Sequence, residues 1–172
     1  MTENREQFEI ERKFLIERPR EAYLRENASC TEIVQTYLLA PKGETERVRS
    51  RSDGTDTAYT HTVKRKITRI RRIEREREIT CEEYEALLTR ADPERNTIHK
   101  QRWVLVYRGQ SFEIDVFPFW ERQAYLELEL DDEEQPIDFP PEIRVLREVT
   151  DDPRYTNAAL AREIPAEDID EV

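Results

Sequence analysis

The sequence predicts an α+β domain built on a closed, eight-stranded antiparallel β-barrel, with a charged interior and helices packed outside. Three observations lead there. Period-2 alternation recurs in about eight short segments, the mark of strands with two chemically different faces. The patterned face carries charge in place of the usual mixture of Ser, Thr and Gln. Charges of one sign also fall in doublets along a face, as with Arg47 and Arg49 or Glu127 and Glu129.

At 172 residues and 37% hydrophobic, the chain fits one domain, with a core from about 9 to 161. Its charged fraction of 39% far exceeds the roughly 25% of an average soluble protein, so charge either crowds the surface or lines something internal. Frayed ends are expected at the start and after Pro165.

Phe8-Glu9-Ile10-Glu11-Arg12-Lys13 opens the strand series with Glu9, Glu11 and Lys13 in phase. Pro19 then introduces a helix over Arg20 to Glu26. Ile33 to Leu39 places Gln35 and Tyr37 on one face, and Arg47-Val48-Arg49 places two arginines together. Thr60 to Lys66 aligns Thr62, Lys64 and Lys66, while Arg72 to Ile79 aligns Glu74, Glu76 and Glu78. Thr80-Cys81-Glu82-Glu83 reads as a capping box that starts a helix running to Thr89. Ile98 to Tyr107 aligns Lys100 with Arg102, and Arg108-Gly109-Gln110 reads as a tight hairpin turn. Phe112 to Val116 carries Glu113 and Asp115, and Tyr125 to Leu130 carries Glu127 and Glu129. Asp152-Pro153 precedes a last helix over about Tyr155 to Arg162.

In most antiparallel sheets a polar face simply meets water. Doublets of one sign, such as Arg47 with Arg49 or Glu127 with Glu129, repel along a strand unless an opposite charge lies between them. Closing the sheet with this face inward removes the edges and encloses room for one small ligand. Burying either set of charges alone would be prohibitive. A polyanion with divalent cations resolves both, because phosphate oxygens pair with Arg and Lys while carboxylates take the metal.

The formal net charge of -11 argues against general binding to nucleic acid or anionic membranes. The Arg-rich run Ile67 to Arg72 therefore reads as a solvated strand end. Cys30 and Cys81 fit neither a zinc site nor a disulfide framework and read as reduced core-type thiols. Met1 to Phe8 is polar, and no apolar run approaches the ~18 residues of a membrane span, so a cytoplasmic protein is expected. His61, His99 and Trp103 fall on the outer phase. Trp120, in Phe117-Pro118-Phe119-Trp120, reads as packed in preference to stacking on a ligand ring. A homodimer is left open.

Glu9-Ile10-Glu11-Arg12-Lys13 resembles the ExExK signature of the CYTH domain, or triphosphate tunnel metalloenzymes. Gln35-Thr36-Tyr37, Arg47-Val48-Arg49, Thr62-Val63-Lys64, Glu76-Arg77-Glu78, Lys100-Gln101-Arg102, Glu113-Ile114-Asp115 and Glu127-Leu128-Glu129 follow in the family's order. The ending Glu148 to Asn157 resembles its small bacterial members. The resemblance implies an antiparallel tunnel that hydrolyses tripolyphosphate, thiamine triphosphate or nucleoside triphosphates, or cyclises ATP. It implies that Lys13, Tyr37, Arg47, Arg49, Lys64, Lys100 and Arg102 hold the phosphate chain. It also implies that Glu9, Glu11, Glu127 and Glu129 hold one Mg2+ or Mn2+ ion, and Glu76, Glu78 and Asp115 a second. Catalysis is then expected from Glu76, Glu78, Asp115 and Lys100, on inorganic tripolyphosphate in first place. Adenylyl cyclisation and a non-catalytic polyphosphate-binding module are the alternatives. Glu74 departs from the family, which often carries a basic residue there, unless Arg72 replaces it.

Overall fold

The computed structural model describes residues 5–68 and 70–168, with side chains of the first strand from Glu9 onward. The expected frayed ends fall partly on residues 1–4 and 169–172, outside the described residues, as does Arg69 of the basic run. The tail that is described is docked: Trp120 Nε1 donates to the Pro165 carbonyl at 3.0 Å, and Glu167 accepts from the backbone of Arg122 and Gln123.

Among the described residues nine strands form, β1 (Arg5–Glu17), β2 (Ala28–Leu38), β3 (Glu44–Ser52), β4 (Thr57–Lys66), β5 (Arg71–Ile79), β6 (Ile98–Tyr107), β7 (Gln110–Val116), β8 (Gln123–Glu129) and β9 (Val145–Glu148). They pair antiparallel in the order β5-β4-β3-β2-β6-β7-β8-β1-β9, and β1 also pairs with β5, which closes eight of them into a barrel. Length lets β1 serve two neighbours on one side, its first half on β5 and its last residues on β9. The ninth strand was not foreseen, because four residues without alternation leave no periodic trace.

Local chemistry explains the connections. Arg108 (φ 46) and Gly109 (φ 78) both take left-handed conformations, the combination that matches a two-residue turn to strand twist. Both reciprocal hydrogen bonds of the Thr80/Glu83 capping box are present at the start of α2 (Cys81–Leu87). The expected helix to Thr89 ends in a 3-10 turn over Leu88–Arg90. α1 (Glu21–Asn27) matches its expectation, whereas the last helix shortens to α3 (Asn157–Leu160) behind a 3-10 turn at Pro153–Tyr155.

Outward-phase side chains make two apolar layers. Phe14, Ile16, Trp103, Leu105, Phe112, Ile114, Leu126 and Leu128 are covered by Leu24 of α1 and by Ile137, Phe139 and Ile143 from the β8–β9 connection. Leu38, Val48 and Ile79 are covered by Tyr84, Leu87 and Leu88 of the second helix and its continuation. His61 and His99 keep to this outer side: His61 sits 2.8 Å from Glu46, and His99 is exposed. Cys30 is half-buried and Cys81 exposed at the start of α2, so Cys81 is not the core thiol expected.

A third apolar cluster lies partly within the barrel. Leu15, Tyr37, Ile98, Phe117 and Tyr125 continue the inward phases beyond Lys13, Gln35, Lys100, Asp115 and Glu127. They meet Trp120, Val149, Tyr155 and Leu160. The C-terminal segment therefore fills part of one barrel end, and Trp120 is packing. Among the described residues no helix is long and apolar enough to cross a membrane.

Candidate active site

Alternation delivers the charges to the interior, where a cavity of about 660 Å³ lies within the barrel. Its walls divide by sign. Arg47, Arg49 and Arg51 of β3 and Lys64 and Lys66 of β4 form a basic wall, joined by Lys13 and Arg102. Glu9, Glu11, Glu74, Glu76, Glu113, Glu127 and Glu129 line it from β1, β5, β7 and β8, with Arg72 among them and Glu44 at the start of β3. Tyr37 also reaches this lining.

The basic wall is short of counter-ions. Among the described residues, neither Arg47 nor Arg49 has a carboxylate at ion-pair distance, and Arg47 Nε is buried without an acceptor. Arg49 donates from Nε and Nη2 to a neutral group, Gln35 Oε1, at 3.2 and 2.8 Å. Burial first, then the adjacent Arg47 and Arg102, push its pKa down to about 9.

The acidic wall has the complementary deficit. Lys13 approaches Glu127 at 3.0 Å, and Lys64 lies 3.7 Å from Glu9 and 3.5 Å from Glu74. Even so, Glu9 Oε2, Glu74 Oε2 and Glu127 Oε1 are buried without a hydrogen-bond donor. Burial, and then a hydrogen bond with Glu74, push Glu9 up to about 9. Burial also works against Glu74, but the bond from Glu9 and the charge of Lys64 outweigh it and hold Glu74 low. The pair is thus pushed apart, and Glu9 is the carboxyl that favours keeping its proton.

That proton gives a test with a definite sign. A raised folded pKa contributes stability that is complete below the unfolded value of about 4.3 and is lost as pH rises toward the folded one. In metal-free buffer, Glu9→Gln should flatten the fall in melting temperature between about pH 6 and pH 9. Parallel curves for wild type and variant would remove that proton from Glu9.

Three expected site residues lie elsewhere. Glu78 is exposed near the end of β5 and does not line the cavity. Lys100 and Asp115 sit behind the lining, at 2% and 1% exposure. Asp115 accepts from Arg102 at 2.8 and 2.9 Å and from Lys100 at 2.7 Å, so both its oxygens are taken. Opposed by its own burial, the carboxyl is nevertheless held far below the usual range by these cations. Burial pushes Lys100 down to about 7 despite Asp115. Asp115 thus underpins Arg102 from behind the cavity lining.

Glu74 and Glu113, in phase in the sequence but given no role, belong to the lining, as do Arg51, Lys66 and Arg72. Arg72 thus joins Glu74 on the lining, with its Nη1 buried and without an acceptor. Thr156, Asn157 and Ala158 also line the cavity, and no strand pattern could have pointed to them.

The donor set fits an oxygen-liganded divalent ion, since buried carboxylate oxygens without donors converge on one cavity and no sulfur or imidazole joins them. Among the described residues no group of three such side chains is already gathered around one point.

Comparison with family models and with curated proteins gives no match. Solved structures do match. The inorganic triphosphatase NE1496 is 30% identical, covering 92% of this chain and 97% of that one, with a TM-score of 0.58. PH1012 from Pyrococcus horikoshii OT3 is 21% identical over 72% of this chain and 80% of its own, with a TM-score of 0.53. A candidate adenylate cyclase from Bacillus halodurans is 13% identical over 75% and 83%, with a TM-score of 0.52. The last two share the fold alone.

Proposed function

The chain belongs to the CYTH, or triphosphate tunnel metalloenzyme, family, and from that premise we propose that it hydrolyses inorganic tripolyphosphate to pyrophosphate and phosphate. The observation that carries this reading is the pair Arg47 and Arg49, buried in a cavity without carboxylate partners. A linear polyanion supplies what they lack. NE1496, the inorganic triphosphatase matched over nearly its whole length, supports the same substrate.

In this reading Arg47, Arg49, Lys64, Lys13 and Arg102 hold the phosphate chain along the basic wall, with Tyr37 positioned to donate to it. Such charge-assisted bonds neutralise the triphosphate and fix its terminal phosphorus for in-line attack. Glu9, Glu11, Glu74, Glu127 and Glu129 would hold Mg2+ or Mn2+. Bound there, such an ion offsets phosphate charge and lowers the pKa of a coordinated water. Glu76, which accepts from Thr62 Oγ1 at 2.9 Å, would orient the attacking water. Water would form a bond to the terminal phosphorus and pass its proton to Glu76, while the bond to the bridging oxygen breaks and pyrophosphate leaves. Lys100 works from behind the wall, holding Asp115 and, through it, Arg102.

The test is phosphate release from tripolyphosphate, ATP and thiamine triphosphate with Mg2+, with Mn2+ and with excess chelator. Tripolyphosphate should be hydrolysed with the highest kcat/KM, and only when metal is present. Turnover undiminished by chelator would remove the metal, and higher efficiency on ATP would remove the substrate assignment.

A further inference from the structure

Asn157 is not part of the barrel, yet it stands on the cavity wall between Thr156 and Ala158. Two buried lysines fix its segment. Lys13 Nζ donates to the Tyr155 carbonyl at 3.1 Å, and Lys100 Nζ donates to Asn157 Oδ1 at 3.3 Å. Tyr155 and Leu160, on either side, are buried in the apolar cluster at that barrel end. The segment is therefore held in place from behind and from both flanks.

Lys100 also decides which way the Asn157 amide points. An ammonium group donates and never accepts, so the amide end that faces it must be the oxygen. Lys100 cannot turn aside, because Asp115 binds it at 2.7 Å. With the oxygen against the wall, the NH2 group and its two donors are left on the cavity side, and that nitrogen makes no hydrogen bond among the described residues.

We propose that Asn157 is a further substrate-binding residue, whose amide NH2 donates to a phosphate oxygen of the polyphosphate in the cavity. The inference rests on the triphosphatase reading of the same site. A neutral donor suits this place. It adds a hydrogen bond to the polyanion without adding to the mutual repulsion of Arg47, Arg49 and Arg102.

The rival role, merely holding Lys100, makes the opposite prediction for one substitution. Asp has the shape of Asn and would pair with Lys100 at least as well, but it offers phosphate an anion in place of a donor. If Asn157 only positions Lys100, Asn157→Asp keeps its function and Asn157→Ala loses it. As a phosphate donor, Asn157→Ala should lower kcat/KM by about ten- to a hundredfold, mostly through KM. Asn157→Asp should then fall further still.

A second readout avoids turnover: the rise in melting temperature that inorganic tripolyphosphate produces in metal-free buffer should diminish in the order wild type, Ala, Asp. An Asp variant equal to or better than the Ala variant in both measurements overturns the inference and leaves the triphosphatase reading standing. A wild-type protein that neither hydrolyses tripolyphosphate nor is stabilised by it overturns both.

Discussion

Arg49→Ala is expected to lower kcat/KM for tripolyphosphate by about a hundred- to a thousandfold, while the melting temperature of the ligand-free protein stays level or rises. Both halves follow from one arrangement. Arg49 is buried on β3 with Gln35 as its hydrogen-bond partner and with Arg47 and Arg102 among the charges that disfavour its own. Removing it relieves repulsion and strands a single neutral acceptor beside an open cavity, where water can reach it. With substrate bound the balance inverts, because the guanidinium then makes charge-assisted bonds to phosphate that strengthen as charge develops in the transition state.

An arginine on an ordinary solvated face would behave differently. Exposed ion pairs contribute about 1 kcal/mol or less, so their loss would alter rate by only a few-fold. The measurement pairs kcat/KM with melting temperature, the latter with and without tripolyphosphate. A loss below about threefold, with ligand-induced stabilisation intact, would mean that the basic wall does not bind the substrate.

How much of this was legible depended on which physical rule governed each residue. Arg47, Arg49, Lys64, Glu9 and Glu127 were readable because a period of two assigns a face unambiguously, and the doublets of like charge demanded a counter-charge. Phase, however, says nothing about depth. Glu78 shares the phase of Glu76 and still ends outside the cavity. Asp115 and Lys100 share the phase of Glu113 and Arg102 and still lie behind the lining. Depth is set by strand stagger and by what fills the barrel end, here Tyr155 and Leu160 from the far end of the chain. Such contacts are long-range and leave no local trace. The same blindness hid β9, too short to show a period, and Asn157, which reaches the cavity from a short helix.

The second large effect separates those two depths. Asp115→Asn is expected to destabilise the fold by about 3–5 kcal/mol, because it leaves Lys100 buried without its anion and Arg102 with Glu113 alone, 2.7 Å away. For a chain of this length that corresponds to a fall of about 6–20 °C in melting temperature. The loss should depend on pH in a fixed direction. Asp115 has its folded pKa depressed, so its contribution is present above the unfolded value of about 3.9 and disappears as pH falls through the folded one. Wild type and variant should therefore converge in acid.

Glu76→Gln supplies the contrast, since Glu76 faces the cavity and its bond to Thr62 survives the change to an amide. It should lose about a hundredfold or more in kcat and hold its melting temperature within about 2 °C, as substitutions outside buried networks do. A thermal-unfolding series with matched kinetics decides the assignment. If Asp115→Asn melts with wild type and fails only in turnover, Asp115 belongs with the cavity ligands, as its strand phase implied, and the buried ion cluster is not what holds Arg102 in place.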